Sequence, residues 1–171
     1  MADESAVTTY GVANTAAPAE LGTFAFFVGK WEGAGRTQLP DGGEAEFPVT
    51  WIGRYVLDGM AIADELHSVA PDGSPYLGIS LRHFDPQERT WIVEYLNVSN
   101  SFVRRQVNGR SGSVEVKGDT IFVIAKDGEM TLRECYRIEN ERRFVYSIDI
   151  SKDGGQSWDA GSIEMTMTKV E

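Results

Sequence analysis

Phe27-Val28-Gly29-Lys30-Trp31-Glu32-Gly33-Ala34-Gly35 is the stretch on which the fold turns. Before it, Leu21, Phe24, Ala25 and Val28 recur at helical spacing, and Pro18 suits a first helical turn. Gly29 is placed to end that short helix, because glycine accepts the left-handed backbone common after a helix. After it come runs of alternating apolar and polar residues, cut by turn sequences such as Pro40-Asp41-Gly42-Gly43, Asp58-Gly59, Asp85-Pro86-Gln87-Glu88 and Asp127-Gly128. These turns bound predicted strands at 31–39, 44–57, 60–69, 76–84, 90–98, 101–107, 113–117, 120–126, 130–138, 142–150 and 162–170. No second long helix interrupts them, which excludes an alternating βαβ architecture.

Each predicted strand carries one apolar face. Trp91, Val93, Tyr95 and Asn97 share a side, as do Leu132, Glu134, Tyr136 and Ile138, then Phe144, Tyr146, Ile148 and Ile150, and finally Ile163, Met165 and Met167. On 76–84 the apolar set is Leu77, Ile79 and Leu81 with His83, so that face is expected to point inward. About ten such strands, each with one apolar face, predict an all-β antiparallel barrel whose interior is the apolar side. Closure also removes the free edges that an open sheet of this size would have to protect. Residues 1–17, rich in Ala, Thr and Ser, are expected to be a flexible N-terminal arm, and 18–171 a single barrel domain.

Composition narrows the function by exclusion. A formal charge of −10 repels phosphate backbones and anionic membrane surfaces, so neither nucleic acid nor membrane is an expected partner. No apolar run reaches the ~18–20 residues of a bilayer span, and the acidic start lacks the pattern of a secretory signal. A cytoplasmic location is the expectation. Cys135 is the single cysteine, which rules out a disulfide framework and a thiolate metal cluster.

Gly29-Lys30-Trp31, just after a short helix and opening an antiparallel meander, resembles the calycin superfamily of lipocalins, fatty-acid-binding proteins and their bacterial relatives. Gly29-Lys30-Trp31-Glu32-Gly33-Ala34-Gly35-Arg36, then Trp51 and Gly53-Arg54-Tyr55-Val56, then Asp153-Gly154-Gly155-Gln156-Ser157-Trp158, stand in the order of its bacterial lipocalin-like domains of unknown function. The resemblance implies a lipocalin-like barrel with a short N-terminal helix closing one end. It also implies that Trp31 closes the barrel bottom, with Lys169 of the last strand packed across the indole. The Gly-x-Trp-x-Gly-x-Gly run is similar to the nitrobindin group too, which binds haem through a late histidine. This chain has no histidine after His83, so no haem, and no other cofactor, is expected. Ser151-Lys152-Asp153-Gly154-Gly155-Gln156-Ser157-Trp158 fits the Asp-box pattern of sialidases, where it is a hairpin turn and not catalytic.

The polar residues stranded on the predicted inner faces are the candidate site: His83, Tyr95, Asn97, Arg104, Glu134, Tyr136 and Tyr146. A charge or hydroxyl inside an apolar barrel must pair, hydrate or meet a ligand. One reading is that Tyr95, Asn97, Arg104 and Tyr146 orient a small apolar or amphipathic molecule bound in the barrel. The alternative is a cofactor-independent isomerase, cyclase, lyase or dehydratase, with His83 and Glu134 as an acid–base couple and Tyr136 as a donor. A third is a solid interior, with the molecule an assembly module that forms homo-oligomers through its N-terminal arm. Glu65, His67 and His83 are the residues from which a metal site of two histidines and a carboxylate could be built. The spacing of a known metal motif is absent and the direction of His67 is open, so no metal is assigned.

Overall fold

The computed structural model describes residues 9–39, 41–70, 72–99, 102–110 and 113–171, with the side chains of 99, 102–110, 127 and 162 outside that description. A short 3-10 helix (Ala19–Phe27) precedes eleven strands. They are β1 (Gly29–Gln38), β2 (Glu44–Val56), β3 (Ala61–Val69), β4 (Pro75–Asp85), β5 (Thr90–Ser99) and β6 (Phe102–Arg110), followed by β7 (Ser113–Lys117), β8 (Thr120–Asp127), β9 (Met130–Asn140), β10 (Arg143–Ser151) and β11 (Asp159–Lys169). The sheet runs β6-β5-β4-β3-β2-β1-β11-β10-β9-β8-β7, every neighbour antiparallel. The first and last strands pair, Trp31 opposite Lys169 through Thr37 opposite Ile163, and β5, next to one end of the order, approaches β7 at the other end. The result is a nearly closed, all-β, lipocalin-like barrel.

The bottom of this barrel is built by the glycine–tryptophan stretch. Trp31 is 1 % exposed, its Nε1–H donates to the Phe27 carbonyl at 2.9 Å, and the Lys169 ammonium lies 5.5 Å from the indole centroid. The expectation drawn from the resemblance is thus met at both residues. Gly29 has φ +127°, and a Cβ there would stand 2.4 Å from the Glu171 carbonyl oxygen and 2.6 Å from Lys169 Cε. Glycine is therefore required both by the backbone and by the close approach of the C-terminal residues. Leu21, Phe24 and Phe27 of the helix turn inward, and Phe24 meets Trp91 edge-on at 4.9 Å while Phe27 meets Phe144 at 5.7 Å. These rings seal the closed end.

Residues 10–17 are not free of the barrel. The Asn14 amide donates to the Gly59 carbonyl at 3.1 Å, its side chain donates to Asp58, and the Tyr10 hydroxyl donates to Glu171 at 2.8 Å. This part of the expected arm is pinned to the sealed end.

One face assignment is reversed. On β4 the inner set is Tyr76, Gly78, Ser80, Arg82 and Phe84, with Arg82 1 % exposed, while Leu77 and Ile79 are 38 % and 40 % exposed on the outside. His83 follows Leu77 and Ile79 to the outer face, so it does not enter the barrel. On β3 the inner residues are Ile62, Asp64, Leu66 and Ser68, which sends Glu65 and His67 outward. There Arg54 Nη1 donates to Glu65 at 2.7 Å and His67 Nε2 stands 3.4 Å from the same carboxylate. Among the described residues no group of three metal-ligating side chains converges.

Candidate functional site

Above the sealed floor the barrel is hollow. A cavity of about 630 Å3 runs up the axis toward Leu39, Val69 and Ala70. Its walls are mainly apolar: Phe47, Leu66, Leu132, Ile148, Ile163 and Met165 line it along with the rings of Trp51 and several tyrosines. That volume is typical of ligand pockets and far larger than the packing voids of a filled core.

The register explains what stands at the cavity floor. Asp64 is directly opposite Gly53 on β2 and Ser80 on β4. Its diagonal neighbours on those strands are therefore Trp51 and Arg82, within reach of long side chains on one face of a sheet. Trp51 Nε1–H donates to Asp64 Oδ1 at 2.6 Å, and Arg82 Nη1 forms an ion pair with Asp64 Oδ2. Asp64 is 2 % exposed, so this is a fully buried pair. The guanidinium also lies over the Phe27 and Phe24 rings, with centroids 4.9 Å and 5.2 Å away. Arg82 is neutralised from one side and backed by aromatic faces from the other.

From Arg82 a chain of polar groups climbs the wall. Arg82 Nη2 donates to the Tyr136 hydroxyl at 3.2 Å, and that hydroxyl donates to Glu134 Oε2 at 2.7 Å. The direction of each bond is fixed, because an arginine only donates and an ionised carboxylate only accepts. Glu134 Oε1 has no hydrogen-bond or ionic partner among the described residues. Burial first, and the Glu134 carboxylate second, hold the Tyr136 and Tyr146 phenols well above their ordinary range, so both stay protonated.

Nearer the mouth a second group forms on β4 and β5. Asn97 Nδ2 donates to the Tyr95 hydroxyl at 2.9 Å, and the Tyr95 and Tyr76 hydroxyls are 3.0 Å apart. Gly78 makes this possible: a Cβ there would stand 2.7 Å from the Tyr95 hydroxyl, so the ring lies across the bare backbone. Burial, then the Tyr76 hydroxyl, raises the Tyr95 phenol above its usual range. Two hydroxyl protons share one mutual bond, which leaves one O–H of the pair for another acceptor.

Of the residues singled out by sequence, Tyr95, Asn97, Glu134, Tyr136 and Tyr146 line the cavity together. His83 stands outside it, so the His83–Glu134 couple is not formed. The side chain of Arg104 lies outside the described residues, although its backbone pairs with Asn97. Asp64, Arg82 and Tyr76 are among the cavity residues the sequence reading missed. A signal existed for the first two: an aspartate and an arginine on consecutive strands, at positions that a tight hairpin sets diagonally.

Cavity and wall together define the class: a hollow, lipocalin-like β-barrel with a sealed polar floor and an accessible apolar interior. Solved structures share the barrel fold. The structure is similar to that of Rv2717c from M. tuberculosis, with a TM-score of 0.57 and 17 % identity over 91 % of this chain and 99 % of that one. It is similar also to the S-type phycobiliprotein lyase CPES from Guillardia theta, with a TM-score of 0.58 and 11 % identity over 88 % and 92 % of the two chains. No family model matches the sequence, and no curated protein matches it. No helix among the described residues is long and apolar enough to cross a membrane.

Proposed function

We propose that the protein binds a small, largely apolar molecule inside the barrel, oriented by the Tyr76–Tyr95–Asn97 group and by Glu134. The cavity of about 630 Å3 carries this reading. At about 30 Å3 per water, it has room for roughly twenty waters against a mostly apolar wall, and displacing them favours an apolar occupant. The polar groups are few and converge on one side, the arrangement that fixes a ligand's orientation. The Gly29-Lys30-Trp31 motif with Lys169 across the indole supports placing the chain among the calycins.

A second reading, a cofactor-independent isomerase, cyclase, lyase or dehydratase, is favoured by the Arg82–Tyr136–Glu134 chain. Glu134 would accept the proton, and Tyr146, held protonated, would donate to a developing oxyanion, the single Tyr136 O–H being already given to Glu134. With His83 outside, Glu134 alone would serve as base. CPES is described as a phycobiliprotein lyase, but at 11 % identity its likeness is one of fold.

Native mass spectrometry of the purified protein, followed by organic extraction, identifies any retained molecule. Displacement of an apolar fluorophore then measures its affinity, and Ile148→Trp, which fills the middle of the cavity, is expected to weaken binding at least tenfold. Absence of a retained ligand together with no fluorophore uptake sinks the reading. If turnover of the extracted molecule is seen, the second reading replaces the first.

A further inference from the structure

Among the described residues the charges lining the cavity do not balance. Among the described lining residues Arg82 is the one cation, facing two carboxylates, Asp64 and Glu134. Arg82 is committed to Asp64 through the buried ion pair and stacked on Phe24 and Phe27. It is therefore a poor receptor for an anionic head group: an incoming carboxylate would have to compete with Asp64 at 2 % exposure. Glu134 is placed differently. Tyr136 pins one of its oxygens, the other has no partner among the described residues, and no described cation pairs with it.

The surroundings of Glu134 suit a cation as well. The Tyr136 and Tyr146 rings lie 5.0 Å apart, and Trp51 is 5.2 Å from Tyr146 and 6.2 Å from Tyr136. All three line the same cavity. Aromatic faces beside a carboxylate stabilise an ammonium group twice over, by the ring quadrupole and by a charge-assisted hydrogen bond. The net charge of −10 further raises the local concentration of cations.

We propose that the cavity selects an amphiphile with a protonated amine head, its ammonium on Glu134 beside the aromatic wall of Tyr136, Tyr146 and Trp51 and its apolar body up the barrel. This rests on the reading of the cavity as a binding site and names the ligand class. A carboxylate-headed amphiphile of the same length is disfavoured, because Glu134 repels it and Arg82 is already paired.

The test compares decylamine, decanol and decanoate at neutral pH by calorimetric titration of the full chain, with fluorophore displacement as a second readout. Decylamine is expected to bind at least about tenfold more tightly than decanol, the size of one hydrogen bond to a charged group, with decanoate weakest. In Glu134→Gln, nearly identical in volume, the amine-to-alcohol affinity ratio is expected to fall to within about threefold of unity, with the native circular dichroism spectrum retained. Decanoate binding as tightly as decylamine to the unmodified protein overturns the proposal without any variant. So does an amine preference that survives Glu134→Gln. If decanol binds but decylamine has no advantage, the cavity reading stands and the amine inference fails. If none of the three binds, both fail.

Discussion

Replacing Asp64 with Asn removes one half of a buried ion pair and leaves the other in place. Asparagine keeps an acceptor for Trp51 Nε1–H, so the bond now at 2.6 Å can persist. What is lost is the counter-charge to Arg82, which is 1 % exposed and stacked on Phe24 and Phe27. An uncompensated buried charge costs about 3–5 kcal/mol. For a chain of 171 residues each kcal/mol moves the melting temperature by about 2–4 °C, so Asp64→Asn is expected to lower it by about 6–20 °C. Urea unfolding followed by tryptophan fluorescence gives the free energy directly, and the m-value checks that the unfolded state is unchanged. The double variant Asp64→Asn/Arg82→Met is expected to recover most of the loss, because hydrophobic replacement of a whole buried pair is often neutral. A cost below about 1 kcal/mol for Asp64→Asn would refute the reasoning. It would mean that water in the cavity solvates the guanidinium and that the floor is not dry.

Three further outcomes follow from other parts of the barrel. Burial, and then the Asp149 carboxylate, push the Cys135 thiol up to about 11, so alkylation at neutral pH is expected to be about two orders of magnitude slower than for a free thiol; a free-thiol rate would show that the described packing is wrong. Gly29→Ala is expected to cost more than about 1 kcal/mol in denaturant unfolding, since the new Cβ meets Glu171 and Lys169 at a positive φ; unchanged stability would mean that the C-terminal residues do not pack there. Bonds from the Ser157 side chain and amide, then from Ser151, hold the Asp153 carboxyl below the ordinary carboxylate range. Its folded value is depressed, so its contribution is complete above the unfolded value of about 3.9 and is lost as pH falls through the folded value. A carboxyl-carbon NMR titration with an ordinary midpoint would contradict the tight Asp-box loop.

The site was legible where the barrel wall obeys simple alternation. On β9 and β10, Glu134, Tyr136 and Tyr146 sit among apolar neighbours at even spacing, and the structure turns all three inward. Alternation misleads on β4. There Leu77, Ile79 and Leu81 form the more apolar side, yet the inner side carries Ser80 and Arg82. A solid core would penalise that choice, but a hollow barrel with a paired floor does not, because Asp64 compensates Arg82 and the cavity is not filled by protein atoms. The identity of the partner strand therefore decides the face, and His83 goes out with the leucines.

The sequence by itself determined the all-β architecture and the short N-terminal helix, which follow from local signals: turn residues, period-two alternation and helical spacing. The Trp31 floor with Lys169 across it was legible only through the resemblance of Gly29-Lys30-Trp31 to the calycins, since nothing local links residue 31 to residue 169. Only the tertiary structure decided which polar residues meet. Asp64, Trp51 and Arg82 come from three strands and touch because the register sets them diagonally, a relation absent from any one strand's pattern. That pairing ties up Arg82 and leaves Glu134 as the carboxylate facing the cavity without a described cation. Which of the described charges lacks a counter-charge is a property of the closed barrel, since it depends on which neighbours have already been satisfied.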